Sequence, residues 1–203
     1  MDLYLFDFDK TLYDYNFMNR LPALARASGV SQYHLASTWW AAGYETRAES
    51  GEWPTADEYL AEFSRVTGAT ITLEQWTAAR KSAMTRIESS VAALRLASTR
   101  GTVSLLSNNP SIFAAALPQL APEVCAIVGE NRLISCELGI RKPAREAYER
   151  ALARYGAAAS DTFFADDSAS NVEGALAVGI HAHHYTTPEG LDAAMTAFAE
   201  RDR

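Results

Sequence analysis

The chain has 203 residues, 48% hydrophobic and 21% charged, which suits one folded domain, or a core with a smaller insertion, and counts against repeat arrays and disorder. Its 18 Lys and Arg against 25 Asp and Glu leave a net charge of -7, which repels a phosphate backbone and argues against nucleic acid as partner. Cys125 and Cys136 form no CxxC or Cys/His cluster, as expected of reduced thiols in a cytoplasmic protein. The start, MDLYLFDFDK, has acids where a secretory signal has bases, and no run approaches about 18 apolar residues, so neither secretion nor a membrane partner is expected.

In chain order, Leu3 to Phe8 is a short apolar, aromatic run ending on acids, the pattern of a buried strand with polar groups at its carboxyl end. In Asp7-Phe8-Asp9-Lys10-Thr11, alternation sends Asp7 and Asp9 one way and Phe8 back toward the core. The pair reads either as a solvated acidic loop or as two repelling carboxylates that need a cation. From Asn16 to about Met84, apolar residues recur at helical spacing (Leu21, Leu24 and Ala25; Tyr59, Leu60 and Phe63), broken at Ser28-Gly29, Gly51 to Pro54 and Thr67-Gly68. No strand is expected there.

Strand and helix then alternate: helix Ile87 to Ser98, strand Thr102 to Leu106, helix Pro110 to Leu117, strand Val124 to Val128, helix Ala144 to Tyr155, strand Thr162 to Ala165, helix Asn171 to Val178, strand Ile180 to Tyr185 and a closing amphipathic helix from Pro188 to Arg203. This is the rhythm of parallel βαβ units, with the first strand in the same sheet and ligands outside the strands' carboxyl ends. The expected fold is therefore α/β, a Rossmann-like parallel sheet with helices on both faces, interrupted after its first strand by a helical insert.

Three further polar clusters follow the strands. Ser107-Asn108-Asn109 precedes a helix and reads as helix capping or as an anion site. In Gly139-Ile140-Arg141-Lys142-Pro143, Pro143 suits the first turn of the next helix and Lys142 stands just outside it, as a surface lysine or as a partner for a phosphoryl oxygen. Asp166-Asp167-Ser168 ends a short apolar strand; adjacent acids ask for a cation, and an all-oxygen site suits Mg²⁺.

The ordered set FDFDKT, LLSNN, GIRKP and FFADDSASNVEGALAVG resembles the haloacid dehalogenase superfamily of phosphatases and related hydrolases. The likeness implies a discontinuous catalytic core at residues 1–13 and 85–203 and a helical cap at 14–84. It implies Asp7 as a nucleophile forming an aspartyl phosphate, Asp9 as acid and then base, Ser107 and Asn108 as phosphate donors, and Lys142 as the cation for nucleophile and phosphoryl group. It further implies Mg²⁺ held by Asp7, by the Asp9 carbonyl and by Asp167, with Asp166 a second or water-mediated ligand. Lys10 departs from the glycine many members carry, and Asn171 stands where some carry another acid.

The expected activity is hydrolysis of a small phosphomonoester such as a sugar phosphate or nucleotide; the alternatives are a phosphomutase of the same superfamily and a non-catalytic module that binds a phosphorylated ligand. Asp9 argues against the dehalogenase branch, whose chemistry has no alkoxide to protonate. Trp39, Trp40, Tyr44, Arg47 and Trp53 are candidates either for substrate contact or for the insert's own core. His181 and His183 share a strand face that His184 does not, and without nearby Cys or acid ligands they read as structural or surface histidines. Monomer and homodimer both remain open.

Overall fold

The computed structural model describes residues 1–201. Strand β1 (Leu3–Phe6) is buried along its whole length, as the centre of a parallel sheet requires. The chain then enters β2 (Tyr13–Tyr15), which pairs antiparallel with β3 (Met84–Arg86), Tyr13 opposite Arg86 and Tyr15 opposite Met84. Between these two strands lie α1 (Phe17–Ser28), α2 (Gln32–Leu35), a π-helical turn Ala36–Trp40, α3 (Tyr44–Glu49), α4 (Ala56–Thr67) and α5 (Leu73–Lys81). Local chemistry sets their ends. Asn16 caps α1, capping boxes Thr55/Glu58 and Thr72/Gln75 start α4 and α5, and left-handed Gly29 and Gly68 stop α1 and α4. The expected breaks fall in these connections, whereas the ribbon strands, three residues each, are too short to show a period.

The remainder runs α6 (Glu88–Ser98), β4 (Thr102–Ser107), α7 (Ser111–Leu120), α8 (Pro122–Val128), β5 (Arg132–Ile134), α9 (Ser135–Leu138), α10 (Arg145–Tyr155), β6 (Thr162–Asp166), α11 (Ala169–Ala177), β7 (His181–His184) and α12 (Pro188–Ala199). The five long-range strands form one parallel sheet in the order β5-β4-β1-β6-β7. One expected strand is corrected: Val124 to Val128 lies in helix α8, which Pro122 opens, and the edge strand is the following Arg132–Ile134. A short apolar run does not distinguish the two states, and proline at a first helical position decides it. Helix α10 begins at Arg145, leaving Pro143 ahead of it. The closing helix ends at Ala199, and residues 202 and 203 of its expected span lie outside the described residues.

Alternation along β1 builds a core on each face of the sheet: Tyr4 and Phe6 join one cluster, Leu3 and Leu5 the other. The first cluster continues through Phe8 and Phe113 into Trp39, Tyr59, Phe63 and Trp76, so insert and sheet share one apolar body. Each such side chain contributes about 1.5–3 kcal/mol on burial. At Gly51, φ is +87° and an added Cβ would lie 2.5 Å from the Cys136 carbonyl oxygen, so only glycine lets the insert approach the α9 backbone this closely. Among the described residues no single helix is long and apolar enough to cross a membrane.

Candidate active site

Asp7 follows β1, Ser107 ends β4 and Asp166 ends β6, which are neighbours in the sheet. The chain leaves β1 toward β4 on one side and leaves β6 toward β7 on the other, so these residues flank the crevice at the switch in strand order. Backbone N–H of Asp7 donates to the Ala165 carbonyl (2.9 Å), fixing the turn in which the chain leaves the sheet.

Lys142 is 1% exposed, and its ammonium donates to Asp7 Oδ1 (2.8 Å), Asp166 Oδ2 (2.6 Å) and the Leu106 carbonyl (2.5 Å). Three acceptors match its three protons, the condition for keeping a buried ammonium charged. Asn108 clamps the same residue by its backbone: Nδ2 donates to the Lys142 carbonyl (2.8 Å), and Oδ1 accepts from the Lys142 N–H (2.9 Å). Its side-chain amide, expected to reach a phosphate, thus uses one of its two protons to hold Lys142 in place. Asp166 also accepts from the Ser168 N–H (2.8 Å) and from Asn171 Nδ2, at 3.0 Å to each oxygen.

Asp9 stands on the insert side of the crevice. Arg80, at the end of α5 and 2% exposed, donates to its Oδ2 at 2.6 Å; Asn109 Nδ2 donates to the same oxygen and to Ser107 Oγ, both at 3.1 Å. Between Asp7 and Asp9 the Phe8 ring points inward, stacked on Tyr13 at 5.0 Å between centroids. Lys10 follows with φ +59°, the left-handed region that a Cβ disfavours, and its ammonium lies 4.0 Å from Asp167. Neither Ser107 nor Asn109 caps α7. Pro110 holds the cap position, and the hydroxyl of Ser111 reaches the Trp53 and Thr55 carbonyls of the insert.

Charge is concentrated here. Burial pushes the Asp7 carboxyl up to about 7, Asp166 and Asp9 adding to the shift and Lys142 opposing it. Burial also works against the Lys142 ammonium, but Asp7 and Asp166 outweigh it and raise its pKa. Asp167 is raised by burial and by Asp166. Oxygens of Asp7, Asp166 and Asp167 lie within 4.8 Å of one another, and an all-carboxylate set of that size suits a hard divalent cation such as Mg²⁺. Asp166 already accepts from Lys142, Ser168 and Asn171, so Asp7 and Asp167 offer the freer oxygens.

Expected and observed site residues therefore meet in one place: Asp7, Asp9, Ser107, Asn108, Lys142, Asp166 and Asp167. The aromatic candidates do not join them. Trp39 is fully buried and packs on Tyr44, Trp53, Tyr59 and Phe63, while exposed Arg47 lies over Tyr44 and Trp53 and pairs with Glu52. They form the insert's own core and its rim. His184 Nε2 contacts the Asp167 carbonyl (2.9 Å), a structural tie on edge strand β7. Sequence reasoning missed Arg80 and the roles of Asn109 and Asn171. No local signal marks Arg80, because it meets Asp9 only through the folding back of α5.

Three solved structures share this fold. A predicted haloacid dehalogenase-like hydrolase from Porphyromonas gingivalis superposes with a TM-score of 0.80 at 22% identity, covering 100% of this chain and 99% of that one. A haloacid dehalogenase family enzyme from Bacteroides thetaiotaomicron, in complex with magnesium and inorganic phosphate, gives 0.72 at 20% identity, covering 90% and 93%. A phosphatase of the same family from Thermococcus onnurineus gives 0.64 at 19%, covering 90% and 85%. The haloacid dehalogenase-like hydrolase family model matches residues 1–179. With that match spanning four of the five sheet strands, the insert and all four strand-end clusters, the chain belongs to the haloacid dehalogenase-like hydrolases.

Proposed function

We propose that the protein is a Mg²⁺-dependent phosphomonoesterase working through an aspartyl phosphate on Asp7. The observation that carries this reading is Asp9, a second carboxylate held beside the crevice by Arg80 and Asn109; a leaving alkoxide needs such an acid and a leaving halide does not. The magnesium and phosphate complex of the Bacteroides relative supports the same reading. Asp7, Asp167 and the Asp9 carbonyl would hold Mg²⁺, with Asp166 at hand. When bound, the ion supplies Lewis-acid charge for the phosphoryl oxygens.

In the first step an Asp7 oxygen attacks phosphorus, the ester P–O bond breaks, and the carboxyl of Asp9 gives its proton to the departing alkoxide. Lys142 holds positive charge beside Asp7, and Ser107 has a hydroxyl proton for a phosphoryl oxygen. In the second step Asp9, now a carboxylate, takes a proton from water as that water attacks phosphorus; the Asp7–phosphorus bond breaks and phosphate leaves. The helical insert, residues 14–84, serves as a cap that excludes bulk water from both steps.

The test is a panel of phosphate esters assayed with and without Mg²⁺. Release of inorganic phosphate that requires Mg²⁺ and falls by about 10³-fold or more in Asp7→Asn is the expected result. Turnover that survives the substitution contradicts the mechanism, and an isomeric sugar phosphate as product would point to a mutase.

A further inference from the structure

In the proposed reaction the Asp9 carboxyl has a task that depends on its direction: it gives a proton to one oxygen and later takes one from another, each within about 2.6–3.2 Å. Packing does not set that direction. The side chain is 24% exposed and leaves a turn in which the backbone alone is fixed, the N–H groups of Leu12 and Tyr13 both donating to the Phe8 carbonyl at 3.0 Å. Hydrogen bonds confine the carboxyl instead. Arg80 Nη2 donates to both of its oxygens, to Oδ2 at 2.6 Å, and Asn109 Nδ2 reaches Oδ2 from the core side at 3.1 Å.

Arg80 is buried, and its guanidinium lies over the Tyr15 ring at 4.1 Å and 5.2 Å from the Phe113 ring, so a residue of β2 and a residue of α7 together hold it. Its Nε has no acceptor. Burying a guanidinium with one donor unpaired costs stability, and an apolar side chain in its place avoids that cost. Stability therefore does not account for an arginine here, whereas the grip on Asp9 does. Its place in the chain points the same way. Arg80 lies in the last turn of α5, at the root of the insert, where the returning chain is tied to the outgoing one. Asn16 N–H donates to the Ala83 carbonyl (2.9 Å), Ile87 N–H donates to the Leu12 carbonyl (3.0 Å), and Tyr13 stands opposite Arg86 across the ribbon. The distance from Arg80 to Asp9 is set by this short brace and not by the far end of the insert.

We propose that Arg80 is a positioning residue for the acid–base step, holding the Asp9 carboxyl toward the leaving oxygen and then toward the attacking water. It acts through Asp9 and has no part at phosphorus. The inference rests on the phosphomonoesterase reading and extends it to a residue of the insert.

The experiment compares the full chain with Arg80→Met, which keeps an unbranched stem against Tyr15 and Phe113. Both are assayed with Mg²⁺ on p-nitrophenyl phosphate and on the alkyl phosphate of the panel that the unaltered protein turns over best. The two esters differ at the acid step, since nitrophenolate leaves without a proton and an alkoxide does not. Arg80→Met should lower kcat/KM by about 10²-fold for the alkyl ester and by less than about threefold for p-nitrophenyl phosphate. With p-nitrophenyl phosphate kcat should still fall and phosphorylated Asp7 accumulate, because hydrolysis of the intermediate needs the base. Arg80→Lys keeps the cation but not the planar fork; it should show the same split at about tenfold, and it carries the test alone if Arg80→Met does not fold. A merely structural Arg80 would lower both substrates together. That outcome, or an alkyl ester unaffected by either substitution, overturns the inference and leaves the phosphomonoesterase reading standing. Absence of Mg²⁺-dependent turnover of p-nitrophenyl phosphate by the unaltered protein would overturn that reading, and the inference with it.

Discussion

Asp7 is the residue at which burial and function pull apart. Its carboxyl is raised from 3.8 to about 7 by burial, reinforced by Asp166 and Asp9 and only partly offset by Lys142. Between those two values the folded chain holds a proton that the unfolded chain releases. The contribution of Asp7 to metal-free stability is therefore greatest at low pH and is lost as pH rises through about 7. Asp7→Asn removes the titration. In chelator, the variant should be more stable than the unaltered protein at pH 8 and no more stable near pH 4, as read by urea unfolding at both pH values. Equal stability at pH 8 would mean that Lys142 alone satisfies the carboxylate. The meeting of Asp7 and Lys142 was legible from motif order and strand-end position, but the contacts of Asn108 were not: a side-chain amide beside a helix start looks the same whether it meets a phosphate or a neighbouring backbone.

At the scale of elements, close contacts tie the insert to the rest of the chain: Gly51 against Cys136, Ser111 against the Trp53 and Thr55 carbonyls, and Arg141 against Glu49. Gly51→Val places a branched side chain where the Cys136 carbonyl already lies and forces a positive φ on a β-branched residue. It should cost about 1–3 kcal/mol in urea unfolding and raise KM more than it lowers kcat. An unchanged midpoint and KM would show that the insert does not need this approach. Periodicity revealed the insert's helices because caps and left-handed glycines punctuate them. It could not reveal β2, β3 or β5, whose three residues are specified by partners far away in the chain. The aromatic residues illustrate the complementary limit: sequence locates Trp39, Tyr44 and Trp53, and only packing shows that they face each other.

For the whole molecule, the net charge of -7 poses the question of how so acidic a protein would take up the phosphate ester proposed for it. The excess is resolved locally. Asp7, Asp166 and Asp167 converge on a candidate cation site, Lys142 is buried between two of them, and Arg80 is paired with Asp9. Parallel-sheet topology makes this convergence possible, because β1, β4 and β6 are adjacent and all end on the same edge. Four clusters separated widely in sequence thus become one site, and their order was readable; Arg80, which reaches Asp9 from α5, depends on how the insert packs and was not. The central claim is that Asp7 carries the phosphoryl group. It is tested most directly in Asp9→Asn mixed rapidly with p-nitrophenyl phosphate and Mg²⁺, since nitrophenolate departs without a proton whereas hydrolysis of the intermediate needs the base. A burst of one nitrophenolate per protein, with one phosphoryl group found by mass spectrometry on the peptide containing Asp7, is the predicted result. Steady release with no burst and no phosphorylated Asp7 would contradict the account.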